Sequence, residues 1–437
     1  AVARLRCGDP AGATALAERA LTAAGSAADR RGEGRALDLL GSIDQQQGRS
    51  DLSRAYFERA LAVHRAAGDR AGEGDALSNL GAWFAEQGRL DEARDRFVEA
   101  LAVGDRQTEA FTLGRLANVL SVRDPTAARG YYDRSLALHR EAGDRRLEGG
   151  VLGALGTLHR DAGRVDEARA CYELGLRIQA TLGLPQDPQI LCGLGNLDLN
   201  QGRLDDAHDR FTRAVASAIA LGRTAFEAVA RINLGMALNE LGRRDEAIAQ
   251  YERALALHRA RGDRRNEATT QMNLGIVLLD RTRMEEALAL YRALGDPKFE
   301  ALALCNLGEL HLLQGRLGEA REVLVDANAL ARAHASKRFD ALSSGLLGGL
   351  CAAEHRYDEA RDWFDRAAQA LRELGNPVEL GRVLIRAASA AVSAGDLRTA
   401  EAALREAASL GDRVAGPGSE VGQGIAEVRS RIVPSRP

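Results

Sequence analysis

Lysine is nearly missing from this sequence: Lys298 and Lys337 are the only two among 59 basic residues. Arginine supplies the rest, a bias that fits the codon usage of a GC-rich bacterial genome and carries no binding information. The basic residues are matched by 62 acidic ones spread along the chain, leaving a formal net charge of −3. That balance gives no broad positive field to attract nucleic acid or an acidic membrane surface. Cysteine is sparse: Cys7, Cys171, Cys192, Cys305 and Cys351 are odd in number, far apart and without a Cys-x-x-Cys pair. This argues against a disulfide framework or a zinc site and fits a reducing cytoplasm. Long apolar runs are absent too. The longest uncharged stretch, from Ala341 to Ala353, has thirteen residues, short of the roughly 20 that span a bilayer.

Catalytic patterns are equally hard to find. His64, His139 and His258 follow the same Ala-Leu-Ala-(Val/Leu) run, and His159 and His311 share another recurring position; recurrence at one repeat position reads as structure. No His-Glu-x-x-His, Gly-x-Ser-x-Gly or Cys/His nucleophile context occurs. The glycine-rich GPGSEVGQG from Gly416 lacks the Gly-Lys-Ser/Thr ending that brings a lysine and a hydroxyl to phosphates. GGVLGALG, from Gly149 to Gly156, falls inside a helical pattern, where its spacing serves packing. The chain is therefore expected to be no enzyme and to need no cofactor or metal.

What is present is repetition. NLGAWFAEQGRLDEARDRFVEALAV at Asn79 returns as NLGMALNELGRRDEAIAQYERALAL at Asn233, with kindred stretches at Asn273 and Asn306. A recurring motif over 437 residues replaces two or three globular domains by one elongated array. The turns fall at Gly8, Gly48, Gly88, Asp124, Gly163, Gly202, Gly242, Thr282, Gly315, His355 and Gly395, mostly 39 or 40 residues apart. The intervals before Asp124 and Gly315 are shorter, 36 and 33, and both losses are placed where the second helix meets the next loop.

Before each turn, Leu-Gly pairs such as Leu80–Gly81 and Leu234–Gly235 sit on a pattern recurring at i, i+3, i+4 and i+7. After it, alanine precedes an aromatic by four residues: Ala93 and Phe97, Ala168 and Tyr172, Ala247 and Tyr251, Ala287 and Tyr291, Ala360 and Phe364. Each copy is thus expected to be an antiparallel pair, helix A then helix B, the glycine letting the two approach closely. Between copies, Gly68, Gly143 and Gly262 are placed as C-terminal caps, and Asp69, Asp144 and Asp263 as N-caps.

Leu-Gly, a turn glycine, Ala-x-x-x-Tyr/Phe and then Ala-Leu together resemble the tetratricopeptide repeat family, over roughly residues 1–411. The period is near 40 instead of 34, a variant similar to the C-terminal arrays of bacterial signalling proteins. HEAT and armadillo repeats share that period but not the alanine-to-aromatic spacing. The resemblance implies an all-α fold, a right-handed superhelical solenoid of antiparallel helix pairs, with about ten repeats of which the first is partial. Residues 412–437 then form a tail with a short capping helix over 420–433. The opening LRCGDPAGATALAERAL reads as the second half of a repeat, so a fragment of a longer protein is expected.

In that family, helix A lines a concave face and presents positions two, five, six, nine, twelve and thirteen to a ligand. With the glycine of Leu-Gly as position eight, position six holds Asn79, Arg115, Asn233, Asn273, Asn306 and Arg386. Position nine includes Asn118 and Asn196, and positions twelve and thirteen include Asn239 and Asn200. Eight of eleven asparagines thus lie on helix A faces, although asparagine is a poor helix former. Their carboxamides, each donor and acceptor, suit the backbone of an extended peptide; bonding to a neighbouring helix is the other reading. Position five turns from polar (Asp38, Ser78) to apolar (Ile232, Met272, Ile385) along the chain. The expectation is a non-enzymatic cytoplasmic scaffold that binds a protein or peptide, with no nucleic-acid or membrane partner. The alternative is a C-terminal sensor or autoinhibitory arm of a bacterial switch ATPase, kinase or transcription regulator, acting on an upstream domain of the same polypeptide.

Overall fold

The computed structural model describes residues 10–47, 49–410 and 420–432. Cys7 and the turn assignments at Gly8 and Gly48 lie outside them, as do residues 411–419. The described residues form 22 α-helices and no strand. The chain divides into two compact units, the first reaching residue 194 and including 216–223, the second holding 195–215 and everything from 224.

In the first unit, α1 (Pro10–Ser26) is followed by four pairs: α2 (Arg30–Gln46) with α3 (Ser50–Ala66), α4 (Arg70–Glu86) with α5 (Leu90–Val103), α6 (Arg106–Leu120) with α7 (Pro125–Glu141), and α8 (Arg145–Asp161) with α9 (Val165–Thr181). Helices α10 (Pro188–Asn200) and α11 (Leu204–Ala220) run through the division. The second unit continues with α12 (Thr224–Glu240) and α13 (Arg244–Arg261), α14 (Arg264–Leu278) and α15 (Arg281–Ala293), and α16 (Pro297–Leu313) and α17 (Leu317–Ala333). It ends with α18 (Lys337–Ala353) and α19 (Tyr357–Glu373), α20 (Pro377–Ala394) and α21 (Leu397–Ser409), then α22 (Glu420–Ile432). Even-numbered helices up to α20 are the A helices and odd-numbered ones the B helices. Within each unit an A helix packs on its own B helix, and that B helix on the next A helix.

The stop and start chemistry between repeats is as the sequence implies. Gly262 ends α13 at φ 68°, and the Asp263 side chain then accepts from Asn266 N at 3.2 Å to open α14. Asp69 and Asp144 cap α4 and α8 in the same manner, each satisfying an amide that the helix itself leaves unpaired.

The Leu-Gly glycines do what their pattern requires. A Cβ on Gly81 would meet Phe97 Cε1 at 2.6 Å, on Gly156 Tyr172 Cδ1 at 2.7 Å, on Gly195 Phe211 Cε1 at 2.5 Å and on Gly235 Tyr251 Cε1 at 2.7 Å. Each aromatic ring of helix B therefore lies flat against the bare backbone of its helix A. These rings are at most 2% exposed, and the alanines four residues earlier are fully buried. Burying one such ring stabilises the fold by about 1.5–3 kcal/mol, which outweighs the roughly 1 kcal/mol propensity cost of a mid-helix glycine.

One turn is displaced from its sequence assignment. Thr282 is not at a turn but in the first turn of α15, where its amide donates to Asp280 Oδ1 at 3.0 Å. The left-handed residue is Leu279, φ 53°, standing where most described copies use glycine and one uses His355 at φ 62°, the Asp124 turn having no left-handed residue. Measured between left-handed residues, the spacings are 37 (Gly242 to Leu279) and 36 (Leu279 to Gly315). The missing residues are thus divided between the two sides of the turn instead of falling wholly at the helix B end. Without a glycine, and with Asp280 capping, the turn carried no recognisable sequence mark.

Candidate functional site

The recurring histidines are all buried, so none faces a substrate: His64, His139, His159, His258 and His311 are at most 5% exposed. Their charge states differ because their neighbours do. His64 lies between Asp38 and Asp69, with Nε2 to Asp38 Oδ2 and Nδ1 to Asp69 Oδ2 both 3.1 Å. A Cβ on Gly34 would meet this ring at 2.5 Å, and Gly72 borders it as well, so two glycines make its slot. Burial opposes the imidazolium, but the hydrogen bond and charge of Asp38, followed by Asp69, outweigh it and raise the His64 pKa above 6.5. Ile232 stands where Asp38 would partner His258, and burial lowers the His258 pKa. Neither ring nitrogen of His258 makes a full hydrogen bond, since the acceptor nearest Nδ1, Asp263 Oδ2, stands 3.5 Å away. His139, His159 and His311 are lowered by burial too. Among the described residues, no group of three His, Cys, Asp or Glu could hold a metal ion, and no helix is long and apolar enough to cross a membrane.

The ten candidate residues on the A helices separate into two kinds. Four are engaged by the chain. Asn79 Nδ2 donates to Asp38 Oδ1 at 3.4 Å, and Arg115 Nη1 donates to Asn79 Oδ1 at 3.0 Å and Ser78 Oγ at 3.2 Å. These bonds tie α2, α4 and α6 together through their fifth and sixth positions. The Arg115 guanidinium also stacks over Phe111 at 4.2 Å, and burial, against the attraction of Asp75 and Glu86, brings its pKa down to about 10. Asn118 accepts from the Tyr132 hydroxyl. Arg386 of α20 pairs with Glu309 of α16, two repeats away. The sequence did not mark Glu309. Gly349 of α18, the helix between them, has open space where a Cβ would be, with Leu312 Cδ1 the nearest atom at 3.9 Å.

The other six, Asn196, Asn200, Asn233, Asn239, Asn273 and Asn306, make no side-chain hydrogen bond among the described residues. Asn233, Asn273 and Asn306 share one position on three successive A helices, α12, α14 and α16, and each is half-buried. Alongside stand apolar side chains that water reaches: Val229 at 38%, Met236 at 38%, Ile276 at 39% and Leu313 at 71% exposure. These occupy positions two, nine, nine and thirteen, a pattern that sequence reasoning, attending only to position five, passed over. Leu279, at position twelve and 52% exposed, is the left-handed residue that ends α14.

On α20 the corresponding stripe is covered by the chain itself. Helix α22 seats Gly424 against Ile385, where a Cβ would come within 2.8 Å of Cγ2, and Arg431 donates to Ser389 Oγ at 2.7 Å and Ser393 Oγ at 3.0 Å. Val421, Ile425 and Val428 are buried beneath it.

The helix-pair fold agrees with comparison to known proteins. Tetratricopeptide repeat family models match residues 32–106, 148–220 and 226–294, and a second such model matches 272–327. The chain belongs to the tetratricopeptide repeat family. No curated protein matches it in sequence. Among solved structures, a Rap protein complexed with competence and sporulation factor is 12% identical with a TM-score of 0.52, covering 91% of this chain and 100% of that one. The apo form of RapI is 14% identical with a TM-score of 0.50, covering 61% of this chain and 98% of that one. A signal-transduction ATPase with numerous domains and a tetratricopeptide repeat sensor, from Pyrococcus horikoshii, is 14% identical with a TM-score of 0.50. That match covers 72% of this chain and 52% of the other. At these identities the likeness is one of fold.

Proposed function

We propose that this chain is a non-enzymatic protein-interaction scaffold that binds an extended peptide or a helix along its A helices, most closely at α12, α14 and α16. The observation that carries the reading is the stripe of Asn233, Asn273 and Asn306, whose carboxamides are left unbonded by the chain beside Val229, Met236, Ile276 and Leu313. Carboxamides can hold a peptide backbone through both donor and acceptor while the apolar neighbours take its side chains. Asn196, Asn200 and Asn239 extend the surface. Arg386, whose polar atoms are already committed within the chain, contributes by shaping it, and Asn79, Arg115 and Asn118 shape the corresponding face of the first unit in the same way. The array runs over residues 1–411, and 412–437 is a tail whose helix α22 closes the last repeat. Panning a random peptide-display library tests this: peptides enriched on the parent should be lost on a chain carrying Asn233→Ala, Asn273→Ala and Asn306→Ala with unchanged helicity. Equal enrichment on both would move binding off this surface.

The second reading, a sensor or autoinhibitory arm acting on an upstream domain in the bacterial cytoplasm, is favoured by one likeness, to the Pyrococcus horikoshii ATPase with its tetratricopeptide repeat sensor. The two readings are compatible, because a bound peptide can bias an attached switch. An upstream P-loop or kinase motif in the full reading frame would favour the arm.

A further inference from the structure

The last B helix leaves a space that its predecessor fills. Aligned by their buried alanines, Ala360 and Ala400, α19 and α21 place Trp363 opposite Ala403. Trp363 packs against the core on both of its sides, whereas Ala403 ends in a methyl group. The A helices differ in the same way. Leu347, Leu350 and Cys351 of α18 are at most 5% exposed, and their counterparts forty residues on are Ala387, Ala390 and Ala391 of α20. Four neighbouring positions have thus lost their bulk together.

The result is a cleft of about 480 Å³ between α19 and α21, floored by α20 and lined by these alanines. It lies on a different stripe of α20 from Ile385, Ser389 and Ser393, where α22 docks. Protein interiors ordinarily close such space, and the volume is that of a site for a small molecule. The rim has a sign. Arg372 is held by Glu406 at 2.8 Å and Arg361 by Asp358 at 2.8 Å, so the two basic side chains are neutralised in place. Asp365 and Asp396 also border the cleft and make no salt bridge among the described residues. Asp396 caps α21 through Thr399 N and Oγ1 and feels the charge of Arg361. The four acidic residues at the rim, Asp358, Asp365, Asp396 and Glu406, nevertheless outnumber Arg361 and Arg372, so the rim is net negative above an apolar floor.

We infer that this cleft is a binding site for a small apolar ligand bearing a cationic head, such as an arylalkyl ammonium, distinct from the asparagine-lined surface. The apolar body replaces the missing leucine and tryptophan side chains, and the head sits between Asp365 and Asp396. Calorimetric titration with phenylbutylammonium, phenylbutanol and phenylbutyrate tests body and head separately. The ammonium should bind one per chain, about fivefold or more tighter than the alcohol, with the carboxylate weakest. Ala403→Trp, which restores the side chain that α19 carries, and separately Ala387→Leu should each abolish binding with helicity retained. Asp365→Asn with Asp396→Asn should bring the ammonium to the affinity of the alcohol; asparagine keeps the helix cap at 396. Equal binding of the three probes, or binding that survives both filling substitutions, would overturn the assignment. Should Ala403→Trp fail to fold, Ala387→Leu decides alone.

Discussion

Replacing Gly81 with alanine sets two effects of known sign against each other. Alanine favours a helix interior by about 1 kcal/mol over glycine. Its Cβ, however, would sit 2.6 Å from Phe97 Cε1, 2.7 Å from Cδ1 and 3.0 Å from Cζ. Carbon atoms in contact lie about 3.5–4.0 Å apart, so the ring has to withdraw by about 1 Å. It has nowhere to go, since Phe97 is 1% exposed and packs with Leu116 and Val119. Overpacking of this kind costs about 1–3 kcal/mol. Gly150, in the interior of α8, has nothing within 4 Å of its would-be Cβ and supplies the control. Gly150→Ala should therefore gain up to about 1 kcal/mol, and Gly81→Ala should be less stable than it by about 1–3 kcal/mol. Because repeat arrays need not unfold all at once, urea titration by circular dichroism should be paired with amide hydrogen exchange across α4 and α5. If Gly81→Ala is as stable as Gly150→Ala, the glycine-to-ring interlock is not what holds the helix pair. Nature offers one comparison: Ala117 takes the glycine place opposite Tyr132 in the shortened repeat, and both are buried.

The histidines make predictions of opposite sign. His64 has a raised pKa, so its contribution to stability is full below about 6.5 and is lost as pH rises through the folded value. His139, His159, His258 and His311 are lowered, so theirs is present above about 6.5 and is lost as pH falls towards their folded values. Four outnumber one, and thermal melts from pH 7 to pH 5 should show falling stability; a melting temperature that rises would contradict these assignments. His64→Leu strands Asp38 and Asp69 and should cost about 3 kcal/mol, whereas His258→Leu removes a ring that makes only a long contact, 3.5 Å, to the half-exposed Asp263 and should cost well under that. Burial pushes the Cys305 thiol up to about 12, so iodoacetamide should label half-buried Cys171 long before Cys305 in the folded chain; labelling of Cys305 at the same rate would mean that its helix opens readily.

The helix pairs were legible because their signals are local. Gly262 and Asp263, or Ala93 and Phe97, lie within a few residues of each other, and each repeat restates them. The turn at Leu279 was not legible, since a left-handed leucine has no signature and the capping Asp280 lies two residues before a threonine that resembles a turn residue. The candidate stripe was legible as a set of positions but not in its division into two kinds. Asn79 and Asn233 occupy the same place in their helices, yet Arg115 of the next A helix reaches only Asn79. That outcome depends on a residue 36 positions away. The slot between Asp38 and Asp69 is likewise a contact across 26 residues, made possible by Gly34 and Gly72. The cleft beside Ala403 needed the packing itself, for an alanine-rich helix looks unremarkable until its predecessor is laid beside it.

The central claim is that Asn233, Asn273 and Asn306 hold a peptide. Calorimetric titration of a selected peptide into the parent chain and into the triple alanine variant tests it most directly. If each carboxamide contributes about 0.5–1.5 kcal/mol, the three together should weaken binding by at least about tenfold, with helicity and melting temperature unchanged. The same dissociation constant for both chains would contradict the claim and leave the three asparagines without a part in recognition.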